Sequence, residues 1–205
     1  MSQDALFEQL KNPNPHLRDR AMWEIVESKD DDTISRLMSV LDETDTTYRR
    51  AAVKTIGAVG VETVPALVET LRASDNGTVR SSCAKALAQV SLNYPEEEFP
   101  EEGIEGLKES LQDENPVVNI ASAMALGVIG VPALDTLLDV LNSSDNPALG
   151  VAIINALSSI KDERAVAALK ELAESEDTDM YMKQMAQSAF SRMDMLKGLE
   201  WKGKK

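Results

Sequence analysis

The stretch "AMALGVIGVPALDTLLDVL", Ala123 to Leu141, reads as the end of one helix, a glycine stop, and a second amphipathic helix that starts at once. A near copy, "AVKTIGAVGVETVPALVETL", runs from Ala52 to Leu71. Glycine enters a left-handed helix stop without the steric cost of a Cβ, so Gly60 and Gly130 are expected to end their helices. Gly57 and Gly127, one turn earlier, are expected to let neighbouring helices approach closely. Two copies of one helix–stop–helix unit point to a repeat, and the period of that repeat decides the fold.

Aligning the units on the middle of their second helix gives Ala21, Ala52, Cys83, Ser122, Ile153 and Met185, at spacings of 31, 31, 39, 31 and 32 residues. Seven residues before these anchors stand Asn14, Asp45, Asn76, Asn115, Asn146 and Thr178. Each carries a short side-chain oxygen that can accept from the free N–H groups of a helix start. Pro15, Pro116 and Pro147 follow three of them, at the first helical position, where a missing N–H costs nothing. Four residues before the anchors stand Leu17, Tyr48, Val79, Val118, Leu149 and Tyr181; four after stand Ile25, Ile56, Leu87, Leu126, Leu157 and Ala189. That spacing puts all three positions on one helical face. Leucines pair in the first helices at Leu6/Leu10, Leu37/Leu41, Leu67/Leu71, Leu107/Leu111 and Leu137/Leu141, weakening to Leu169 and Ala173 in the last. The expected fold is all-α: an α-solenoid of about six antiparallel helix pairs without strands, wound as a right-handed superhelix and forming a single domain over residues 1–205.

Composition narrows the function. Hydrophobic residues make up 43% of the chain and aromatics only 4%, which fits an aliphatic core of helix on helix. A formal charge of −14 argues against nucleic acid, whose phosphates it would repel. No apolar run approaches the roughly 20 residues needed to span a bilayer, and "MSQDALFEQLKNPNP" lacks a signal-peptide pattern. One cysteine excludes an intramolecular disulfide and fits a reducing compartment, so a cytoplasmic location is expected.

The pattern "ALGVIGVPALDTLLDVL", preceded by "DENPVVNIASAM", resembles the HEAT-like repeat of the phycobilisome-lyase type, as does "TDTTYRRAAVKTIGAVG". The resemblance covers nearly the whole chain. It implies kinship with bilin lyase subunits of the E/F type, with a phycobilisome-degradation factor, and with a small HEAT protein that interacts with an A-type iron–sulfur scaffold. By resemblance, the partner is a phycobiliprotein or an iron–sulfur scaffold protein. The His-Cys pair of an isomerising lyase is absent, since His16 and Cys83 lie two repeats apart.

A repeat protein gets its function from its surface. If the second helices line a concave groove, positions two before and two after each anchor face it, at about 100° per residue. This stripe reads Asp19 and Trp23, then Arg50, Lys54, Ser81 and Lys85, then Ile120, Met124, Val151 and Asn155, and ends with Lys183, Gln187 and, five after its anchor, Phe190. The groove is therefore expected to be basic at one end and apolar at the other. Two readings stand: the apolar residues meet a partner, or a tightly curled superhelix buries them. Arg18, Arg49 and Arg80 form a ladder three residues before the anchors, serving either as pairs for acids of the neighbouring turn or as carboxylate recognition.

Two segments break the repeat. The acidic insertion 91–103 carries Glu96, Glu97, Glu98, Glu101 and Glu102 with Tyr94 and Phe99, as a docking element or as a linker whose aromatics cover a joint. The tail 194–205 is basic and holds Trp201, either capping the last repeat or offering an aromatic anchor. Cys83, at an anchor position, is a buried thiol or a single cluster ligand shared with a partner. No serine elbow, Gly-rich phosphate loop or HExxH pattern occurs, and the carboxylates lack metal-loop spacing.

These observations point to a non-catalytic scaffold that binds a protein partner through Arg50, Lys54, Lys85, Ile120, Met124, Val151 and Trp201, without an intrinsic cofactor or metal. By resemblance it assists maturation of a phycobiliprotein or iron–sulfur protein. The alternative is a bilin lyase or carrier subunit, with phycocyanobilin propionates on Arg50, Lys54 and Lys85 and its rings on Ile120, Met124 and Val151.

Overall fold

The computed structural model describes residues 2–176 and 178–202, with side chains described up to residue 195. Every regular element among them is helical. Twelve α-helices follow one another as six pairs: α1 (Gln3–Gln9) with α2 (Pro15–Glu27), α3 (Thr33–Ser39) with α4 (Thr46–Val59), α5 (Val64–Ala73) with α6 (Gly77–Asn93), α7 (Glu101–Ser110) with α8 (Pro116–Ile129), α9 (Leu134–Ser143) with α10 (Pro147–Leu157), and α11 (Glu163–Glu174) with α12 (Met180–Lys202). The chain separates into two compact units, Met1–Ala125 and Leu126–Lys205, and the division falls inside α8. In the first unit α2 packs on α4 and α4 on α6, while α1, α3 and α5 each pack on the second helix of their own pair. In the second unit α10 packs on α9, α11 and α12.

The caps explain where the second helices start. Asn14 accepts from the His16 N–H at 3.0 Å, Asp45 from Thr47 at 2.8 Å, Asn76 from Thr78 at 2.9 Å, Asn115 from Val117 at 2.9 Å and Asn146 from Ala148 at 3.0 Å. The last repeat departs from expectation. Its cap is Asp179, not Thr178, and its carboxylate accepts from Tyr181 at 2.9 Å. A carboxylate at this position also favours the positive end of the helix dipole, so the helix starts one residue later than the period predicts. Replacing Asn115 with Ala is expected to destabilise the fold by about 0.5–2 kcal/mol through the lost cap. Thermal unfolding checks this, and an unchanged midpoint would show that the Asn115 side chain does not hold that helix start.

The apolar stripes meet in the core. Anchors Ala21, Ala52, Cys83, Ser122 and Ile153 are buried, as are Ile25, Ile56, Leu87, Leu126, Leu157 and Ala189 one turn on. The first-helix leucines are buried with them, apart from the half-buried Leu141. The position four before the anchor is buried in the four middle repeats. In the outermost ones it is open, with Leu17 at 42% and Tyr181 at 55% exposure. An end repeat packs against a single neighbour, so this flank loses cover there.

Gly60 and Gly130 end α4 and α8 with φ of 106° and 84°, the only positive φ values among the described residues. Their ψ values of −160° and −133° do not belong to the left-handed helical stop that was expected. They lie in an extended mirror region that is essentially closed to residues with a Cβ. From there the chain enters a 3₁₀ turn directly, with Thr63 N–H donating to Gly60 O and Ala133 N–H to Gly130 O, both at 3.0 Å. The glycine thus ends one helix and aims the next. Gly57 and Gly127 serve close approach. A Cβ on Gly57 would stand 2.5 Å from the Gln89 Cβ, and one on Gly127 would stand 2.7 Å from the Ala156 Cβ.

The arginine ladder is built into the turns. Arg18 donates to the Asn12 carbonyl at 2.6 Å, Arg49 to Glu43 O at 2.5 Å and Arg80 to Ser74 O at 2.8 Å, each reaching six residues back. Asn119 takes the same place in the fourth repeat, reaching Asp113 O at 3.4 Å. Only Arg80 also pairs with an acid of the next turn, holding Asp113 through two bonds of 2.7 and 2.8 Å. In the acidic insertion, Tyr94 donates to Ala58 O at 2.6 Å and Phe99 is 8% exposed, packed beside Gly103. The aromatics pin this segment down while Glu96, Glu97 and Glu98 stay in solvent.

Candidate binding face

The second helices expose one register throughout. Two residues after the anchor stand Trp23, Lys54, Lys85, Met124, Asn155 and Gln187, and all six are exposed. The register two before the anchor behaves differently. Arg50 is exposed, but Asp19, Ile120, Val151 and Lys183 are half-buried and Ser81 is buried. The two registers lie about 40° apart around a helix, so the earlier one turns toward the packed flank. Ile120 and Val151 therefore do not stand freely in solvent as the sequence pattern implied, whereas Met124 does, at 60% exposure. Val151 belongs to the second unit and the other described candidates to the first. The Trp201 side chain lies outside the described residues.

The first unit gathers Arg50, Lys54 and Lys85 on the α2–α4–α6 face. A recess of about 180 Å³ between α2 and α4 is lined by Arg18, Asp19, Met22, Arg50 and Lys54. A second recess, of about 270 Å³, shares Asp19, Met22 and Lys54 with the first and adds Trp23, Gln89 and Asn93. Lys54 Nζ lies 3.9 Å from Asp19 Oδ1, a weak contact. Among the described residues, Arg50 and Lys85 have no ion-pair or hydrogen-bond partner. Partial desolvation, followed by the like charges of Arg49 and Arg50, holds the Lys85 ammonium below the usual lysine range. A larger recess, of about 550 Å³, has both of its arginines already joined to acids: Arg72 grips Glu109 at 2.6 Å and Arg80 grips Asp113 at 2.7 Å.

Gln89 and Asn93 are additions that the sequence reading did not single out. Helix α6 is 17 residues long, so the line through exposed Lys85 continues to half-buried Gln89 and exposed Asn93 at steps of four. Extending the register by two turns would have found them. Cys83 is fully buried, and burial pushes its thiol up to about 12, so it supplies no thiolate near neutral pH. His16 is exposed. No group of three or more His, Cys, Asp or Glu side chains that could hold a metal ion occurs among the described residues. No single described helix is long and apolar enough to cross a membrane. The face can therefore offer cations, an exposed indole and amides, which is the chemistry of binding anions and planar or apolar groups.

The family model for HEAT repeats matches residues 4–88 and 104–190, leaving out the acidic insertion. Over 200 residues, 98% of this chain and 99% of the relative, the sequence is 51% identical to the uncharacterized phycocyanin operon protein Z of Pseudanabaena tenuis (strain PCC 7409). It is 31% identical over 174 residues to the bilin biosynthesis protein CpeZ of Synechococcus sp. (strain WH8020), covering 82% of this chain and 93% of that protein. Among solved structures, the CpcE–CpcF complex of phycocyanin lyase from Nostoc sp. PCC7120 matches with a TM-score of 0.51 at 19% identity, covering 76% of this chain and 97% of the matched one. That likeness concerns the fold.

Proposed function

Because the chain belongs to the HEAT-repeat family, and within it to the family of phycocyanin operon protein Z and CpeZ, we propose that it takes part in attaching bilin to a phycobiliprotein in the cytoplasm. The observation that carries this reading is the 51% identity along almost the full length of both chains. The name of CpeZ adds bilin biosynthesis to the same family. Of the two functions read from the sequence, the bilin alternative gains more from these relatives than the general scaffold. The iron–sulfur partner finds no counterpart in their names.

The chain's own residues suit holding the acceptor protein rather than the bilin itself. Arg50, Lys54 and Lys85 supply positive charge on an otherwise acidic protein, and Trp23 supplies an open aromatic surface. The only thiol is buried and protonated, so bond formation would have to use a nucleophile from the acceptor protein. Bilin here is cargo rather than a resident cofactor. The test is to disrupt the gene in its source cells and measure bilin per phycobiliprotein by absorbance of the acid-denatured, purified antenna. A substoichiometric chromophore at one or more attachment positions is expected. Full bilin content in the disrupted cells would overturn the reading.

A further inference from the structure

Carboxylates outnumber lysines and arginines by 35 to 21 in this chain. In such a chain most cations find an acid: Arg20, Arg36, Arg72 and Arg164 each hold one at 2.6–2.8 Å. Arg18, Arg49, Lys183 and Arg192 hold a carbonyl or amide oxygen instead, which sets apart the cluster on the α2–α4–α6 face. Arg50 and Lys85 hold no carboxylate among the described residues, and Lys54 only approaches Asp19 at 3.9 Å. Lys85 is moreover close enough to Arg49 and Arg50 for their charges to disfavour its own. Like charges crowded together and left unpaired cost stability, and an anion supplied from outside relieves that cost.

Shape decides what kind of anion fits. Small-molecule sites are concave, because they must cover most of the ligand's surface. The two recesses here, about 180 and 270 Å³, share Asp19, Met22 and Lys54 and adjoin as an open strip along the face. Trp23 stands 52% exposed beside the second, on a surface that can be covered but does not enclose. An exposed tryptophan among separated cations suits a protein segment, with an aromatic anchor and flanking charges that steer the approach.

We infer that the α2–α4–α6 face docks an acidic segment of a partner protein, with its carboxylates on Arg50, Lys54 and Lys85 and an apolar side chain against Trp23 and Met22. This rests on the reading above, in that the segment belongs to the phycobiliprotein that receives the bilin. On a chain of net charge −14, this cluster is where an acidic segment can approach without repulsion.

The experiment measures binding of chromophore-free phycocyanin, by interferometry, to the full chain and to Arg50→Glu/Lys54→Glu and Lys85→Glu variants at two salt concentrations. Free phycocyanobilin is titrated against the same proteins by absorbance. The double reversal is expected to raise the Kd for the protein at least about tenfold, through lost pairing and new repulsion. Salt should weaken the parent complex, since exposed charges are screened within about 10 Å at 0.1 M. Binding of free bilin should not change. Circular dichroism reports on folding, and Arg50→Gln/Lys54→Gln, which adds no carboxylate, carries the test if the reversal unfolds the chain. Failure of the parent to bind phycocyanin, an unchanged Kd in the variants, or an equal loss of free-bilin binding would each overturn the inference. The gene disruption separates the two ideas: bilin content can fall while this face binds no protein, which leaves the attachment role standing and removes the docking surface.

Discussion

Replacing Gly127 with valine is expected to unfold the second unit at temperatures where the parent is folded. A Cβ at this position would stand 2.7 Å from the Ala156 Cβ and 2.8 Å from its Cα, closer than real Cβ atoms approach. The obstacle on α10 is partly backbone, so no rotamer change clears it. Overpacking a tight contact typically costs about 1–3 kcal/mol and occasionally more, and valine adds two methyl groups beyond the clashing atom. We expect a loss of at least about 3 kcal/mol, a large part of a domain's usual 5–15 kcal/mol. Gly127→Ala is the sharper control. Alanine gains about 1 kcal/mol of helix propensity over glycine, so any net loss must come from the contact. Ser159, whose hydroxyl donates to the Gly127 carbonyl at 3.3 Å, would lose that bond as the helices part. Thermal melts and hydrogen exchange of α10 check the result. A Gly127→Ala protein that melts at or above the parent temperature would show that α8 and α10 have room to spare.

The second large effect concerns the pair between Arg80 and Asp113. Their side chains are 18% and 11% exposed, and two bonds of 2.7 and 2.8 Å join the start of α6 to the turn before α8. Arg80 also holds the Ser74 carbonyl at 2.8 Å. Arg80→Met keeps the stem but removes the countercharge, leaving the Asp113 carboxylate with the Asn115 N–H at 2.8 Å. Losing a hydrogen bond to a charged group costs about 1.5–3 kcal/mol, and stranding a buried charge about 3–5. For this part-buried pair we expect a loss of about 2–3 kcal/mol in denaturant unfolding. Adding Asp113→Asn should cost less than the sum of the two single changes, since both remove one interaction.

The pH dependence follows from the same geometry. The hydrogen bonds from Arg80, ahead of other causes, hold the Asp113 carboxyl below the ordinary aspartate value of 3.8. A depressed native pKa contributes stability that is complete above the unfolded value and lost as pH falls through the native one. Arginine stays charged throughout this range. In Arg80→Met the Asp113 carboxyl loses the bonds that lower its pKa but keeps the burial that raises it, so the stability gap between parent and variant should be level near neutral pH and narrow as pH falls from the variant's Asp113 pKa to the parent's lower one. A gap that closes between pH 7 and 5 would mean that the pair is not what the substitution removes.

Much of this molecule is legible in one dimension because a repeat states each local rule several times. Asn14, Asp45, Asn76, Asn115 and Asn146 mark five helix starts, and each does cap its helix through its own side chain. Capping is a short-range interaction between a side chain and an N–H two or three residues on, so local sequence suffices to specify it. The buried faces followed for the same reason, as spacing around a helix needs no knowledge of the neighbour. The exception at Asp179 arose where the period itself was irregular.

What lay beyond the sequence depended on which surfaces meet. The register two before the anchor looked equivalent to the one two after it, yet Ser81 is buried while Lys85 is exposed. A rotation of about 40° around the helix decides between them, and only the packed neighbour sets that angle. Arg18 and Arg49 spend their guanidinium groups on turn carbonyls, while Arg50, one residue along, is left unpaired. Charge counting cannot separate Arg49 from Arg50, because the difference lies in which way adjacent side chains point around a helix. Sequence alone determined the helices, five of the second-helix starts and most of the core. Tertiary packing decided which cations remain free to bind, because a charge is available only when no group brought near by folding has already satisfied it.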